Sequence, residues 1–128
     1  MDTQELYERG LALRKRMLGE AAVERRMTAL GEFGAPLQHV INAYAYGDVW
    51  SREALPAASK SLAMVAMMAA LGRSNELRVH LNGAVANGCT AAQIQELLLL
   101  VALYCGIPAA NEAHRVAFEV LREHQKVA

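Results

Sequence analysis

The chain has 128 residues, enough for one domain with a substantial core but few for an enzyme with two lobes. Its 13 Lys and Arg residues balance 13 Asp and Glu residues, which argues against a nucleic-acid or membrane partner. Hydrophobic residues make up 54% of the chain and charged residues only 20%, so one small core cannot cover all the apolar surface. Composition therefore predicts a homo-oligomer.

Local sequence signals favour a cytoplasmic protein. The N-terminal residues MDTQELYERG are acidic and polar, unlike a secretory signal, and the apolar segment 97–104 is too short to cross a bilayer. Cys89 and Cys105 stand at opposite ends of one predicted helix, about 24 Å apart at ~1.5 Å per residue, which excludes a disulfide between them. We expect two free thiols.

Helical periodicity runs through the first half of the chain, and no stretch alternates long enough to form a strand. Asp2 and Glu5 suit a capping box at the start of the first helix. The boundaries of the first three helices are predicted at Gly19, Glu20, Leu30 and Pro36. The segment Tyr46–Trp50, after the third helix, is predicted to be a loop.

The second half contains the most apolar helices. One is predicted from Ala57 to Leu71 and is apolar nearly all round, so we expect it to be buried on every side. Thr90 and Gln93 form a capping box for the other. The remaining helix boundaries are predicted at Ser74, which would cap its helix, and at Asn87, Cys105, Pro108 and Glu123. The sequence therefore predicts an all-α bundle of six or seven helices in a single domain, residues 1–128.

A carboxylate and an imidazole lie one helical turn apart in the fifth predicted helix. Glu76 and His80 are spaced i,i+4, which places both on one face, and Arg73 lies three residues before Glu76. Together they offer a cation for a substrate carboxylate, an imidazole that moves a proton near neutral pH, and a carboxylate that orients it. The spacing of Glu76 and His80 alone favours an ordinary structural pair. With Arg73 and the buried helices on either side, the structural and functional interpretations are equally good.

The other three histidines have simpler interpretations. His124 lies in a polar C-terminal tail and is predicted to be solvated. His39 and His114 lie on amphipathic helices and fit helix-surface or interface positions. The chain has no phosphate-binding glycine loop and no nucleophile elbow. It also has no cysteine pair at zinc spacing, and no metal site is predicted.

The motifs occur in the order found in a known family. Arg73, Glu76, His80 and an Asn-Gly turn are followed by an apolar helix that ends in Tyr-Cys-Gly-Ile-Pro-Ala, residues 104–109. Upstream, the segment YAYGDVW, residues 44–50, and the helix from Arg9 to Gly19 complete a collinear match. The chain thus resembles the carboxymuconolactone decarboxylase family of the alkylhydroperoxidase-D-like superfamily.

The resemblance implies a cofactor-independent carboxy-lyase. Its expected reaction converts 4-carboxymuconolactone, a dicarboxylate lactone, to 3-oxoadipate enol-lactone in aromatic (protocatechuate) degradation, the β-ketoadipate pathway. The expected assembly is a homo-oligomer, a trimer or hexamer. The residues that the resemblance assigns to catalysis are His80, Glu76 and Asp48. Those that it assigns to substrate binding are Arg73, Trp50, Lys60 and Tyr104.

Several positions depart from the family pattern. Asp48 replaces a Glu, Ala58 and Lys60 replace two arginines, and Leu100 stands where many relatives have Gln or His. Lysine is a point charge and lacks the bidentate fork of arginine. The departures leave open a smaller, less charged lactone or oxo acid as the substrate, or a non-catalytic helical oligomer.

A thiol-dependent branch of the superfamily offers a further alternative, a peroxidase. Its Cys-x-x-Cys-x-x-x-His motif aligns with His80, which places Arg73 and Glu76 at the two cysteine positions. A peroxidase cycle needs an accessible thiolate and a resolving thiol. Because the Cys-x-x-Cys pair is missing, the sequence argues against this activity.

Overall fold

Seven α-helices and one π-helix make up the computed structural model, which describes all 128 residues and has no strand. The chain divides into two compact units, Met1–Leu55 and Pro56–Ala128. The predictions of an all-α fold and of six or seven helices are confirmed, and the π-helix is an additional element. The first unit contains α1 (Thr3–Leu18), α2 (Glu20–Thr28), α3 (Gly31–Val40) and the π-helix (Ile41–Trp50). The second contains α4 (Ala57–Leu71), α5 (Ser74–Ala86), α6 (Ala91–Cys105) and α7 (Ile107–Glu123).

In the first unit, α1 packs along the π-helix with the two backbones in close approach. A Cβ on Gly10 would overlap the carbonyl oxygen of Asn42, and one on Gly47 would overlap the carbonyl oxygen of Leu6. Glycine at both positions therefore permits the crossing. At the start of α1, the Asp2 side chain accepts a hydrogen bond from the backbone amide of Glu5 at 2.8 Å, as a helix cap does.

The prediction of a loop at Tyr46–Trp50 is wrong, since this segment is the second half of the π-helix. The turn signal came from Gly47 and Asp48, which commonly interrupt helices. Gly47 instead serves the contact with α1, where a side chain would not fit. The requirement for a close approach, and not for a turn, explains this glycine.

In the second unit, the core is built from one apolar face of each of its four helices. Its fully buried side chains include Val65, Leu77, Leu81, Ile94, Leu98, Val116 and Val120. Both hydrogen bonds of the capping box predicted for Thr90 and Gln93 are present, so this prediction is confirmed. The prediction that α4 is buried on every side is wrong for the single chain, because Met67 and Leu71 are 48% and 66% exposed.

The start of α5 differs from the prediction. Arg73, and not Ser74, is the residue that precedes the helix, and it makes no side-chain cap. Ser74 is the first helical residue, and its Oγ donates to a carboxylate oxygen of Glu112 in α7 at 3.2 Å. The serine therefore links two helices because its hydroxyl has a charged acceptor nearby.

The end of α7 is a Schellman motif. The amide of Gln125 donates to the carbonyl of Arg122 at 2.9 Å, and the amide of Lys126 donates to that of Leu121 at 2.8 Å. Gln125 has a φ of 59°, the left-handed conformation that usually requires glycine. The motif turns the chain so that Val127 packs against the core of the second unit.

Cys89 is buried and Cys105 is exposed, and both are free thiols, as predicted. No helix combines the length and the apolar character needed to span a bilayer.

Candidate functional site

The residues predicted for catalysis and substrate binding divide between the two units. Asp48 and Trp50 lie on the π-helix of the first unit. The second unit contains the others, which lie on α4, α5 and α6 or, for Arg73, just before α5: Lys60, Arg73, Glu76, His80 and Tyr104.

In α5, the predicted pair lies within one continuous helix, so Glu76 and His80 project from the same face one turn apart. His80 is half-buried, and its Nδ1 atom is fully shielded from solvent, whereas Glu76 is exposed. The salt bridges of the second unit join Arg78 and Arg115 to glutamates of α7 and involve neither Glu76 nor Arg73. Glu76 and Arg73 are thus two charged groups available for a ligand.

Arg73 lines a small pocket of about 140 Å³ where α5 and α7 begin. Ser74 and Glu112 supply its other polar side chains, and its remaining walls are the side chains and backbone of Met68, Ala69, Gly72, Leu77, Pro108, Ala109 and Ala113. Hydrogen bonds from Arg115 and Ser74 hold the pKa of Glu112 below its usual range, so this carboxylate stays charged. The pocket therefore contains both signs of charge.

The other predicted residues of the second unit lie on α4 and α6. Lys60 is half-buried in α4, while Tyr104 in α6 is 81% exposed. Of the positions that depart from the family pattern, Ala58 packs against the core, and Leu100 is 53% exposed on the surface of α6. Ala58 therefore acts as a core residue in this chain.

In the first unit, Asp48 contacts a residue just beyond the end of the π-helix, and Trp50 contacts a residue within it. The Asp48 carboxylate forms a salt bridge with Arg52 at 3.0 Å. The Trp50 ring stacks on that of Tyr46, with centroids 5.8 Å apart and planes 8° from parallel. Tyr46 is buried, and desolvation raises the pKa of its hydroxyl, so the phenol stays neutral.

Sequence reasoning missed two arginines of α1 that contact the π-helix. Arg9 donates from Nε and Nη2 to the carbonyl oxygen of Gly47 at 3.0 and 2.6 Å. Arg14, only 4% exposed, donates from Nη1 to Gln38 and Asn42. The sequence signal was Gly10 within a predicted helix, since a glycine there often has a packing reason.

Nowhere do three or more His, Cys, Asp or Glu side chains form a group that could hold a metal ion. A second pocket, of about 280 Å³, lies between α6 and α7. It is mostly apolar, with Gln95 and His114 on its walls, and it contains none of the predicted site residues.

Comparison with known proteins relates these features to a family. The model of the carboxymuconolactone decarboxylase family matches residues 35–119, which include the π-helix and α5. The chain belongs to this family. It is 41% identical to the 4-carboxymuconolactone decarboxylase of Acinetobacter baylyi over 123 residues, 96% of this chain and 92% of that protein.

Two further relatives are similar to the chain. The nitrosuccinic acid decarboxylase of Metarhizium robertsii is 33% identical over 118 residues, 92% of this chain and 82% of that protein. A 4-carboxymuconolactone decarboxylase sequence of Pseudomonas putida is 35% identical over 48 residues, 38% of this chain and the whole of that sequence. The names of these relatives describe decarboxylation of two different acids.

Proposed function

We propose that this protein is a cofactor-independent carboxy-lyase that converts 4-carboxymuconolactone to 3-oxoadipate enol-lactone in aromatic-compound degradation. The observation that carries the proposal is the 41% sequence identity to the Acinetobacter baylyi enzyme, over an alignment that covers 96% of the chain. Arg73, which precedes α5, and Glu76 and His80 on α5 support it, because they supply the groups that the reaction needs.

The chemistry explains why no cofactor is required. The bond to the carboxylate breaks, CO₂ leaves, and its electron pair delocalises into the unsaturated lactone as an oxyanion. A carbon atom is then protonated. The protein must bind a dianion, stabilise the oxyanion and deliver one proton.

We assign His80 as the acid or oxyanion partner and Glu76 as the carboxylate that orients it. Arg73 and Lys60 would bind substrate carboxylates, with Arg73 able to form a bidentate pair. For Asp48, Trp50 and Tyr104 we retain the roles implied by the resemblance, Asp48 in catalysis and the two aromatic residues in substrate binding.

The test is an ultraviolet assay of 4-carboxymuconolactone consumption by wild type, His80→Ala and a histidine control. His124→Ala is a suitable control because His124 is exposed and its Nε2 contacts only Asn82 Oδ1, at 2.7 Å. We expect turnover to fall at least 100-fold in His80→Ala and to stay within twofold in His124→Ala. Equal turnover in wild type and His80→Ala would refute the assignment of His80, and a folded wild type without turnover would refute the substrate.

A second candidate substrate is a smaller acid that forms a comparable anion. The 33% identity to a nitrosuccinic acid decarboxylase favours it, as do Ala58 and Lys60 at positions where arginines are expected. Loss of CO₂ from the carbon that bears the nitro group leaves a nitronate, which protonation converts to 3-nitropropanoate. Measuring kcat/KM for nitrosuccinate, for the lactone and for an unactivated control, succinate, distinguishes the two candidates.

We also propose that residues 1–128 act as one family domain, that the protein is cytoplasmic, and that it is a homo-oligomer, a trimer or hexamer. An apolar stripe on α6 supports self-association, since it consists of exposed Leu99, Leu100, Leu103 and Tyr104. No charged residue lies between Glu96 and Glu112 in the sequence. Apolar patches of this kind mark interaction surfaces.

A further inference from the structure

Arg14 is a buried cation in the first unit that has no carboxylate partner. Its Nη1 donates to Oε1 of Gln38 at 2.8 Å and to Oδ1 of Asn42 at 3.0 Å, both neutral acceptors. Desolvation lowers the pKa of Arg14 from its usual value, which is the direction expected for a charge that burial disfavours. Burying a charge without a carboxylate partner costs free energy of folding, and an apolar side chain of similar size would avoid this cost. We therefore expect Arg14 to have a specific role.

The contacts of Arg14 reach a predicted site residue through one intermediate ring. The Arg14 guanidinium lies 5.9 Å from the centre of the Tyr46 ring, within the range of a cation–π interaction. The Tyr46 ring in turn stacks on Trp50 with centroids 5.8 Å apart. Arg14, Tyr46 and Trp50 therefore form a continuous series of contacts from α1 to the end of the π-helix.

The same guanidinium also fixes the beginning of the π-helix. Asn42 is completely buried in its first turn, and Gln38 lies in the last turn of α3. A π-helix is rare and usually short, so a ten-residue example needs external contacts that hold its register. Both hydrogen bonds of Arg14 leave from Nη1, while the central carbon of the guanidinium lies over the Tyr46 ring. The ammonium of lysine has no planar, delocalised face to place against that ring.

We propose that Arg14 is a positioning residue for the decarboxylation, holding the π-helix register and the Tyr46 ring so that Trp50 and Asp48 keep their orientation. This inference rests on the proposed function, in which Trp50 and Asp48 act on the substrate. It assigns Arg14 no contact with the substrate.

The first test uses Trp50, the only tryptophan of the chain, as a reporter that needs no substrate. Arg14→Lys keeps the charge but loses the planar guanidinium, and Arg16→Lys is the matched control on an exposed face of α1. We expect a shift of Trp50 emission and at least a twofold change in acrylamide quenching in Arg14→Lys, and neither in Arg16→Lys. Wild-type emission and quenching in folded Arg14→Lys would overturn the proposal, even if the protein proves inactive on the lactone.

The second test measures turnover at a temperature where circular dichroism shows every variant fully folded. We expect kcat to fall about tenfold in Arg14→Lys with KM within about threefold, because misorientation lowers the rate more than binding. Tyr46→Phe retains the ring, so its kcat should remain near that of wild type. Tyr46→Leu removes the ring, so its kcat should fall about as far as that of Arg14→Lys. The double variant Arg14→Lys/Tyr46→Leu should be no slower than the worse single variant, since both interrupt one series of contacts. Multiplying losses would overturn the proposal.

Discussion

Gly10 of α1 and Gly47 of the π-helix meet where the two backbones approach most closely. A Cβ on Gly10 would lie 2.5 Å from the amide nitrogen of Gly47, closer than any ordinary contact. Arg9 closes the same junction by donating two hydrogen bonds to the Gly47 carbonyl oxygen, which also accepts one from Ser51 Oγ at 2.5 Å. The junction sets the position of Asp48, the next residue.

Gly10→Ala is therefore expected to destabilise the protein even though alanine favours helices. Overlap with backbone atoms cannot be relieved by a side-chain rotation, and overpacking of this kind costs about 1–3 kcal/mol. Chemical denaturation measures the loss in the free energy of unfolding. Ala12→Ser, on an exposed position of α1, is the control and should change it by less than about 0.5 kcal/mol. An unchanged midpoint in Gly10→Ala would contradict the close crossing.

Gln125→Gly is expected to stabilise the protein by about 0.5–1 kcal/mol, because glycine adopts a left-handed backbone without the strain that a side chain brings. Gln125 has a φ of 59° in the Schellman motif that ends α7. Thermal unfolding of Gln125→Gly and Gln125→Ala measures the effect. Alanine at position 125 keeps the strain of a side chain on a left-handed backbone. Equal stabilisation of Gln125→Gly and Gln125→Ala would therefore show that relief of this strain is not the cause.

Local signals were sufficient for most of the helices. Positive-φ glycines end α1 and α6 at Gly19 and Gly106, and a side chain hydrogen-bonded to backbone begins α6 at Thr90. These features depend on residues a few positions apart, so the sequence reveals them. The spacing of Glu76 and His80 on one helix could be predicted for the same reason.

The π-helix could not be predicted because its causes are distant in sequence. Gly10 contacts the backbone of Asn42, 32 positions away, and Arg14 donates to that residue across 28 positions. The same distance problem applies to the exposed positions of α4. Periodicity identifies Met67 and Leu71 as apolar, but only tertiary packing decides which apolar faces the single chain covers.

The charged surface of α7 gives a prediction on pH. Arg78 and Arg115 form salt bridges with Glu119, and the hydrogen bond from Arg78 holds the pKa of Glu119 below its usual value of about 4.5. A carboxyl group whose pKa is lower in the folded protein than in the unfolded chain stabilises the fold at pH values above its unfolded-state pKa. This stabilisation is lost as the pH falls through the folded-state pKa. Unfolding free energy should therefore decrease below about pH 4.5.

Glu119→Gln isolates this contribution, since glutamine retains the size of the side chain but does not titrate. We expect its stability to be lower than wild type at pH 7 and the difference to shrink as the pH falls below about 4.5. The effect should be modest and weaker in 0.5 M salt, because Glu119 is 41% exposed and the pair is screened. Glu53→Gln, an exposed glutamate with no salt bridge, provides the control. A difference that grows at low pH would contradict the sign of the pKa shift.

Leu103→Arg tests whether the apolar stripe of α6 carries the self-association. Leu103 is 73% exposed, so arginine is tolerated in the folded chain, while a cation buried in a subunit interface is not. Sedimentation should show smaller assemblies for Leu103→Arg and wild-type assemblies for Ala86→Arg, an exposed position at the end of α5. If both variants keep the wild-type mass, the interface lies elsewhere.

The two thiols should differ in reactivity by a wide margin. Cys89 is 4% exposed, its Sγ donates to the Ala58 carbonyl at 3.4 Å, and burial raises its thiol pKa, which lowers the reactive thiolate fraction. Cys105 is exposed at the end of α6. A disulfide reagent at pH 8 should therefore modify one thiol per chain rapidly and both only after unfolding. Cys105→Ser should remove the rapid phase. The same thiol modification of Leu103→Arg distinguishes a cysteine buried within the chain from one covered by a second subunit. Rapid modification of Cys89 in native wild type or native Leu103→Arg would contradict its position in the core.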